Sequence, residues 1–563
     1  MGNKRIVIGL AVGIVVIGVL VFGFLGLTRN VGKTERAITT EDAQASLTDM
    51  VEKINPQTAP PVKASVEYTD EVQAAAEELP ELSDDTITVE PTTTSYAEIW
   101  ASPEKAGPGT DGWMREMADE FNKSGAQVNG QQVSIQLRSI SSGLAVDYIA
   151  TGKEMPAGYS PSNMQFVKLL SARGSKSDVI RERMVGNVAG IVLKKAAHKT
   201  IVDKYGSVDL KAITEAVANG ELTMGYTDPF TSSTGLNFLV SCLLRYDHNN
   251  PLSETAVEGF KKFQANVPFV ALTTVQMRDA AEHDKLDGFV LEWQLFQSDA
   301  SLQADYEFTP FGYRHDNPLV ACKDADEQDR AILEAFAQYC EENGTNLATK
   351  YGFNDKDDYV CELPELDGET LLKAQDLYKK NKDNDRPVMA VFVADVSGSM
   401  IGDPLAELQD SLINSMRYIN DGNYVGLVSY SDDVTINVPI AEFDLNQQSL
   451  FKGAVEGLKA AGQTATYDGI IVAADMLQKA SADMPGAKTM IFLLSDGDSN
   501  SGYVDLADMQ NVIGGLRIPV YTIGYNANID ALQQISSVNE AASIDATTDD
   551  VTYQLKKLFN ANM

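Results

Sequence analysis

The sequence has little of what hydrolases and redox enzymes work with. Only four histidines, His198, His248, His283 and His315, are scattered through 563 residues. There is no His-Glu-x-x-His pair, no Cys–His pairing and no Gly-x-Ser-x-Gly elbow, so no zinc-protease or esterase nucleophile is written into the chain. The four cysteines, Cys242, Cys322, Cys340 and Cys361, show no Cys-x-x-Cys pair and no zinc spacing. Their even number fits up to two disulfides in an oxidising compartment, or four unpaired core thiols. Bases are scarce: 45 Lys and Arg stand against 80 Asp and Glu, a formal net charge of −35. That excludes a nucleic-acid partner, which needs clustered cations, and docking on anionic lipid. It suits a soluble body, or one that meets anionic partners through a bound cation. Acids in such number leave a paired-carboxylate glycoside hydrolase as the residual enzymatic reading.

One polar pattern is sharply drawn. The apolar run Val388–Ala394 ends in Asp395-Val-Ser397-Gly-Ser399. A buried strand that stops there brings three oxygen side chains to one strand end. Downstream, Gly462-Gln-Thr464 precedes a helix-like stretch, and the apolar run Ile491–Leu494 ends in Ser-Asp496-Gly497. Oxygen donors of this kind suit a hard divalent cation. Near-continuous apolar strands alternating with amphipathic helices from Pro387 onward predict a parallel sheet covered on both faces. In such sheets ligands sit beyond the carboxyl ends of the strands, where Asp395 and Asp496 both fall.

The three pieces, in this order and spacing, resemble the metal-ion-dependent adhesion site of the von Willebrand factor A family over residues 387–563. The resemblance implies a Rossmann-like α/β domain holding Mg²⁺ (or Mn²⁺ or Ca²⁺). Ser397, Ser399 and Thr464 would bind the ion directly, and Asp395 and Asp496 largely through water. The remaining position would await an acidic group on a protein or cell-envelope partner.

The rest of the chain divides by composition. Residues 1–5 form a basic head. Residues 6–27 are apolar and without charge, about 33 Å as a helix and long enough to span a bilayer. Basic residues on both flanks leave the orientation undecided by charge; domain types and the even cysteine count place the body outside the cell. Residues 28–95, rich in acids, prolines and threonines, read as a disordered, self-repelling spacer, with short helices conceivable over 44–54 or 71–78.

Residues 96–380 show a strand, polar loop, helix rhythm that predicts a second α/β unit. Its hydroxyl-rich loops contain Ser102, Ser141-Ser142-Gly143, Ser160-Pro-Ser162 and Thr-Asp228-Pro-Phe-Thr231-Ser232-Ser-Thr234-Gly, and Glu292 ends the strand-like Gly288–Glu292. Hydroxyls and free N–H groups at helix starts suit an oxyanion or polar solute, or simply cap helices. The loops resemble those of bacterial extracellular, two-lobed solute-binding proteins. The resemblance implies a cleft lined by Ser102, Ser141, Ser142, Ser160, Ser162, Thr231, Ser232, Thr234 and Glu292. Arg138 and Arg314 are positional candidates for an anion clamp.

The sequence as a whole points to a non-enzymatic, single-pass membrane protein with its bulk extracellular. Its function would be cation-dependent adhesion or, alternatively, reception of a small anionic or polar solute.

Overall fold

A computed structural model describes residues 39–66, 79, 81–82, 86–107, 112–267, 270–271, 277, 286–382, 386–420, 422–497, 499–525, 529–536, 543–545 and 551–563. The apolar run 6–27 and the stretch 71–78 lie outside these. Among the described residues no helix is long and apolar enough to cross a membrane.

The C-terminal unit is built on a sheet with Val388–Asp395 at its centre. The strand order is Gln57–Thr58, Val434–Glu442, Tyr424–Tyr430, Val388–Asp395, Lys488–Ser495, Val520–Gly524, Ser543–Asp545. All neighbours are parallel except Tyr424–Tyr430 with Val434–Glu442. Every side chain of the central strand is buried, because both faces are covered. Alternate residues serve opposite cores. Phe392 stacks on Phe492 at 5.1 Å and meets Phe559 edge-on. Met389, Val391 and Val393 join Ile470, Leu477 and Ile491 on the other face.

The segment expected to be a disordered spacer is ordered over 39–66 and 86–95, and the helix allowed over 44–54 is present within Thr40–Ile54. Residues Thr40–Ile54 form a helix, capped by the Thr39 side chain at its start and by Asn55 in the left-handed conformation (φ 52°) at its end. Its apolar residues are few but share one face. Ala43, Leu47 and Ile54 are buried against the C-terminal unit, and Thr40 donates to the Gly515 carbonyl at 3.2 Å. Gln57–Thr58 then adds an outer parallel strand beside Val434–Glu442, and Ala64 exchanges hydrogen bonds with Ser449. Ile87–Val89 pairs with Ser134–Ser139 in the other unit. Composition averages over a segment, whereas Ala43, Leu47, Met50, Val51 and Ile54 at helical spacing suffice when the groove that receives them is already built.

The preceding unit has two lobes. One sheet runs Ile87–Val89, Ser134–Ser139, Tyr96–Ala101, Gly158–Ser160, Leu319–Cys322, Ser177–Arg181; the other runs Val270–Ala271, Met224–Thr227, Gly288–Glu292, Asn187–Lys194, Tyr306–His315. The chain crosses between Arg181 and Asn187 and returns between His315 and Leu319. Helix Gly368–Asn381 then touches both lobes. Gly368 lies against the Lys168 carbonyl, and Gln375 donates to the Pro229 carbonyl at 2.9 Å. The same helix bolts the lobes to the C-terminal unit. The buried Lys379 ammonium donates to the carbonyls of Tyr418 (2.9 Å) and Phe559 (3.1 Å). All four cysteines are free thiols, so the disulfides allowed by their even number are not formed.

Candidate cation site and inter-lobe cleft

At the carboxyl end of the central sheet, four of the five predicted cation ligands form one hydrogen-bonded chain. Asp395 is fully buried. Its Oδ1 accepts from the Ser397 N–H at 2.8 Å, and its Oδ2 accepts from the hydroxyls of Tyr430 (3.0 Å) and Ser495 (2.7 Å). Ser397 Oγ lies 3.0 Å from Ser399 Oγ, and Ser399 donates to Asp496 Oδ1 at 2.9 Å. Ser399 is exposed, so the chain runs from the core to solvent.

Thr464 stands on the adjoining loop. That loop is stitched to the first by Gly398 N–H donating to the Gly462 carbonyl at 3.0 Å. The loop after Asp496 holds it from the other side: Asn500 Oδ1 accepts from the Thr464 N–H at 2.9 Å, and Ser499 donates to the Thr464 carbonyl at 3.1 Å. Asp468, in the first turn of helix Thr466–Ala482, accepts the N–H groups of Tyr503 and Val504 at 2.9–3.0 Å and fixes the same loop. Three segments far apart in sequence are thereby fastened to one another at one sheet end.

Burial pushes the Asp395 carboxyl above the usual carboxylate range, against the hydrogen bonds from Ser397, Ser495 and Tyr430 that favour its charged form. Neither Asp395 nor Asp496 pairs with a Lys or Arg among the described residues. A buried carboxylate with no cationic side chain, two hydroxyls and a second carboxylate at hydrogen-bond spacing form an oxygen-only donor set that fits a hard divalent ion. Tyr430, Ser495, Asp432 and Asn500 were not singled out from the sequence. Asp432 Oδ1 accepts from the Gln463 N–H at 3.2 Å. Tyr430 and Ser495 are buried supports, Asp432 and Asn500 are exposed ones that also tie the loops, and no spacing signal marks any of them.

The other predicted residues gather where the two lobes meet, at the carboxyl ends of parallel strands. The lobes are in contact. Gly143 N–H donates to the Thr231 carbonyl at 3.2 Å, Ser233 donates to Ser142 at 3.1 Å, and a Cβ on Gly143 would lie 2.0 Å from the Phe230 carbonyl oxygen. Ser102 Oγ bonds Glu104 and Lys105 and accepts from Ser162 at 3.4 Å. Glu292 Oε1 accepts from Thr234 at 3.0 Å and lies 2.8 Å from His315 Nδ1. The Asn237 amide Nδ2 lies 3.2 Å from His315 Nε2, and its Oδ1 accepts from Tyr313 N–H, which fixes the amide. Nε2 is therefore the acceptor and Nδ1 carries the proton donated to Glu292.

Two of the nine predicted residues serve local structure. Ser232 caps helix Ser233–Tyr246 through Gly235 N–H, and Thr231 bonds Asp228. Ser141 Oγ and Ser160 Oγ are buried with no hydrogen-bond partner, as are Asn187 Nδ2 and Asn317 Oδ1. Arg138 pairs with Glu98 at 2.9 Å, and Arg314 with Asp316 and Asp357, so neither arginine reaches the cleft as a clamp. The cation present is Lys105, which the sequence reading missed; it is fully buried beside Glu104. Burial lowers its pKa, opposed by Glu104 and Glu292. Burial alone would raise the Glu104 carboxyl, but Lys105 and the hydroxyls of Ser102 and Ser162 bring it below its ordinary value. A lysine inside a four-residue helical turn, Pro103–Ala106, carries no sequence signal of burial.

Residues 390–561 match the family model described as the von Willebrand factor type A domain. The inter-alpha-trypsin inhibitor heavy chain H3 of Bos taurus is 31% identical over 155 residues, 26% of this chain and 17% of that protein. Heavy chain H1 of Homo sapiens is 26% identical over 219 residues, 36% of this chain and 23% of that protein. The chain thus spans less than a quarter of these relatives. Among solved structures, a von Willebrand factor type A protein from Catenulispora acidiphila is 20% identical with a TM-score of 0.28, covering 31% of this chain and 42% of that one. A periplasmic thiamin binding protein is 10% identical with a TM-score of 0.38, covering 51% and 95%. The molecule is a mixed α/β protein whose residues 390–561 match the von Willebrand factor type A family model.

Proposed function

We propose that this is a non-enzymatic binding protein whose C-terminal domain captures an acidic group on a protein or envelope partner through a Mg²⁺-type ion. The observation that carries the reading is the chain Asp395–Ser397–Ser399–Asp496, which opens to solvent without a Lys or Arg to neutralise it. Ser397, Ser399 and Thr464 would hold the ion, with Asp395 and Asp496 orienting its water. Bound there, the ion supplies positive charge to a partner carboxylate that a body of net charge −35 would otherwise repel. Partner and membrane anchoring through 6–27 belong to the same proposal, with the body outside the cell.

Isothermal titration of Mn²⁺ or Mg²⁺ into the full chain should give one site that Asp395→Ala abolishes. Equal heat from the variant would sink the reading. The strap 39–66 is part of the domain, so a fragment starting at 387 is not a fair test.

A second reading concerns the cleft. The unpartnered buried atoms Ser160 Oγ, Asn187 Nδ2 and Asn317 Oδ1 favour a small polar solute held between the lobes. Titration with oxyanions and sugars should give heat that Ser160→Ala removes; no heat from any of them leaves a sealed structural unit.

A further inference from the structure

Two of the most exposed large apolar side chains among the described residues flank the candidate cation site. Ile401, 67% exposed, lies two residues beyond Ser399; Tyr503, 73% exposed, lies three beyond Asn500. Single exposed apolar residues are ordinary on protein surfaces. These two differ because they come from separate loops that converge on one opening, and both backbones are pinned. Ile401 N–H reaches the Gly398 carbonyl at 3.4 Å, and Tyr503 N–H is held by both oxygens of Asp468. The polar part of the frame is acidic: Asp403 follows Ile401, and Asp432 and Asp433 sit beside the Gly462 loop, all three exposed. Lys459 is the one base on these loops.

From this we infer that the site selects a protein loop presenting a single Asp or Glu beside an aliphatic or aromatic residue, on a neutral or basic surface, and rejects polyanionic polymers. The inference rests on the proposed cation-dependent binding and names the partner's chemistry. One carboxylate completes the cation's shell. The neighbouring apolar side chain covers Ile401 and Tyr503, removing their surface from water. Further acids on the partner would meet Asp403, Asp432 and Asp433 with no second cation to offset them, so a repeated acid is penalised where a single one is accepted.

The test pans phage-displayed random dodecapeptides on the full chain in Mg²⁺ and elutes with EDTA. The expected sequences carry one acid next to an apolar residue, with Lys or Arg more frequent than a second acid. The double variant Ile401→Ser/Tyr503→Ser should recover at least about tenfold fewer of them while keeping the Mn²⁺ titration heat, which shows that the domain is folded and loaded. The double variant Asp403→Asn/Asp433→Asn should admit acid-rich peptides. Acid-rich peptides on the unaltered chain, or unchanged recovery by the Ile401/Tyr503 variant, would overturn the inference. So would Mn²⁺ heat without any EDTA-eluted peptide. Absence of Mn²⁺ heat would instead overturn the cation site itself.

Discussion

At the end of the central sheet, Ser399 stands in solvent at the tip of a chain that begins at buried Asp395. Between the lobes, Ser102, Glu104, Lys105, Glu292 and His315 are closed over by Gly143 and Ser142 meeting Thr231 and Ser233. Both clusters are rich in hydroxyls and acids at the carboxyl ends of strands. They differ in who supplies the positive charge. In the cleft the buried Lys105 supplies it, while Ser160 Oγ, Asn187 Nδ2 and Asn317 Oδ1 have no hydrogen-bond partner among the described residues. At the sheet end no Lys or Arg among the described residues does, and the proposed divalent cation would take that role. Location at strand ends is thus common to both; what differs is a buried countercharge, present in the cleft and absent at the sheet end among the described residues.

The comparison can be broken most forcefully at Lys105. Removing one partner of a buried ion pair leaves the other uncompensated, so Lys105→Met should cost about 3–5 kcal/mol in denaturant unfolding of the two-lobed unit. It should leave Mn²⁺ binding unchanged. A loss below about 1 kcal/mol would mean that Lys105 is not the cleft's countercharge. Next comes Leu47→Ala in the strap helix, expected to cost about 2–5 kcal/mol. That loss should fall on the unfolding of the C-terminal domain and spare the lobes; the reverse pattern would show that the strap belongs elsewhere.

Metal then sharpens the contrast. At a free concentration one hundred times its dissociation constant, Mg²⁺ should stabilise the C-terminal domain by about 2.7 kcal/mol. The effect should vanish in Asp395→Ala and persist in Lys105→Met. The smallest effect is at the lobe contact. Ser233→Ala removes one neutral hydrogen bond to Ser142, worth about 1 kcal/mol, and should speed amide hydrogen exchange at the cleft without changing exchange around Ser397. Equal change at both places would show that the clusters are coupled.

Much of the C-terminal domain was legible because its signals are local. The near-continuous apolar run Val388–Ala394 and the amphipathic stretches between the strands are short segments read one at a time. Asp395, Ser397 and Ser399 share one strand end by sequence adjacency alone. The supports Tyr430, Ser495, Asp468 and Asn500 were not legible, since each acts across 35 residues or more. The docking of the strap was missed for a related reason: composition reports whether a segment can fold by itself, and Thr40–Ile54 buries Ala43, Leu47 and Ile54 against helices from the far end of the chain. In the cleft, hydroxyls were found by type, but which of them cap helices and which meet across the lobes depends on contacts such as Thr234 to Glu292, 58 positions apart.

By itself the sequence determined the parallel α/β alternation, the candidate oxygen donors and the net negative charge, because these follow from residue type, short-range period and a sum. Only the tertiary structure decided that the N-terminal strap completes the C-terminal sheet, that Lys105 rather than an arginine occupies the cleft, and that Ile401 and Tyr503 stand exposed on the loops of the candidate site. Each of those depends on which distant surfaces come into contact, and burial and countercharge are properties of the contact, not of the residue.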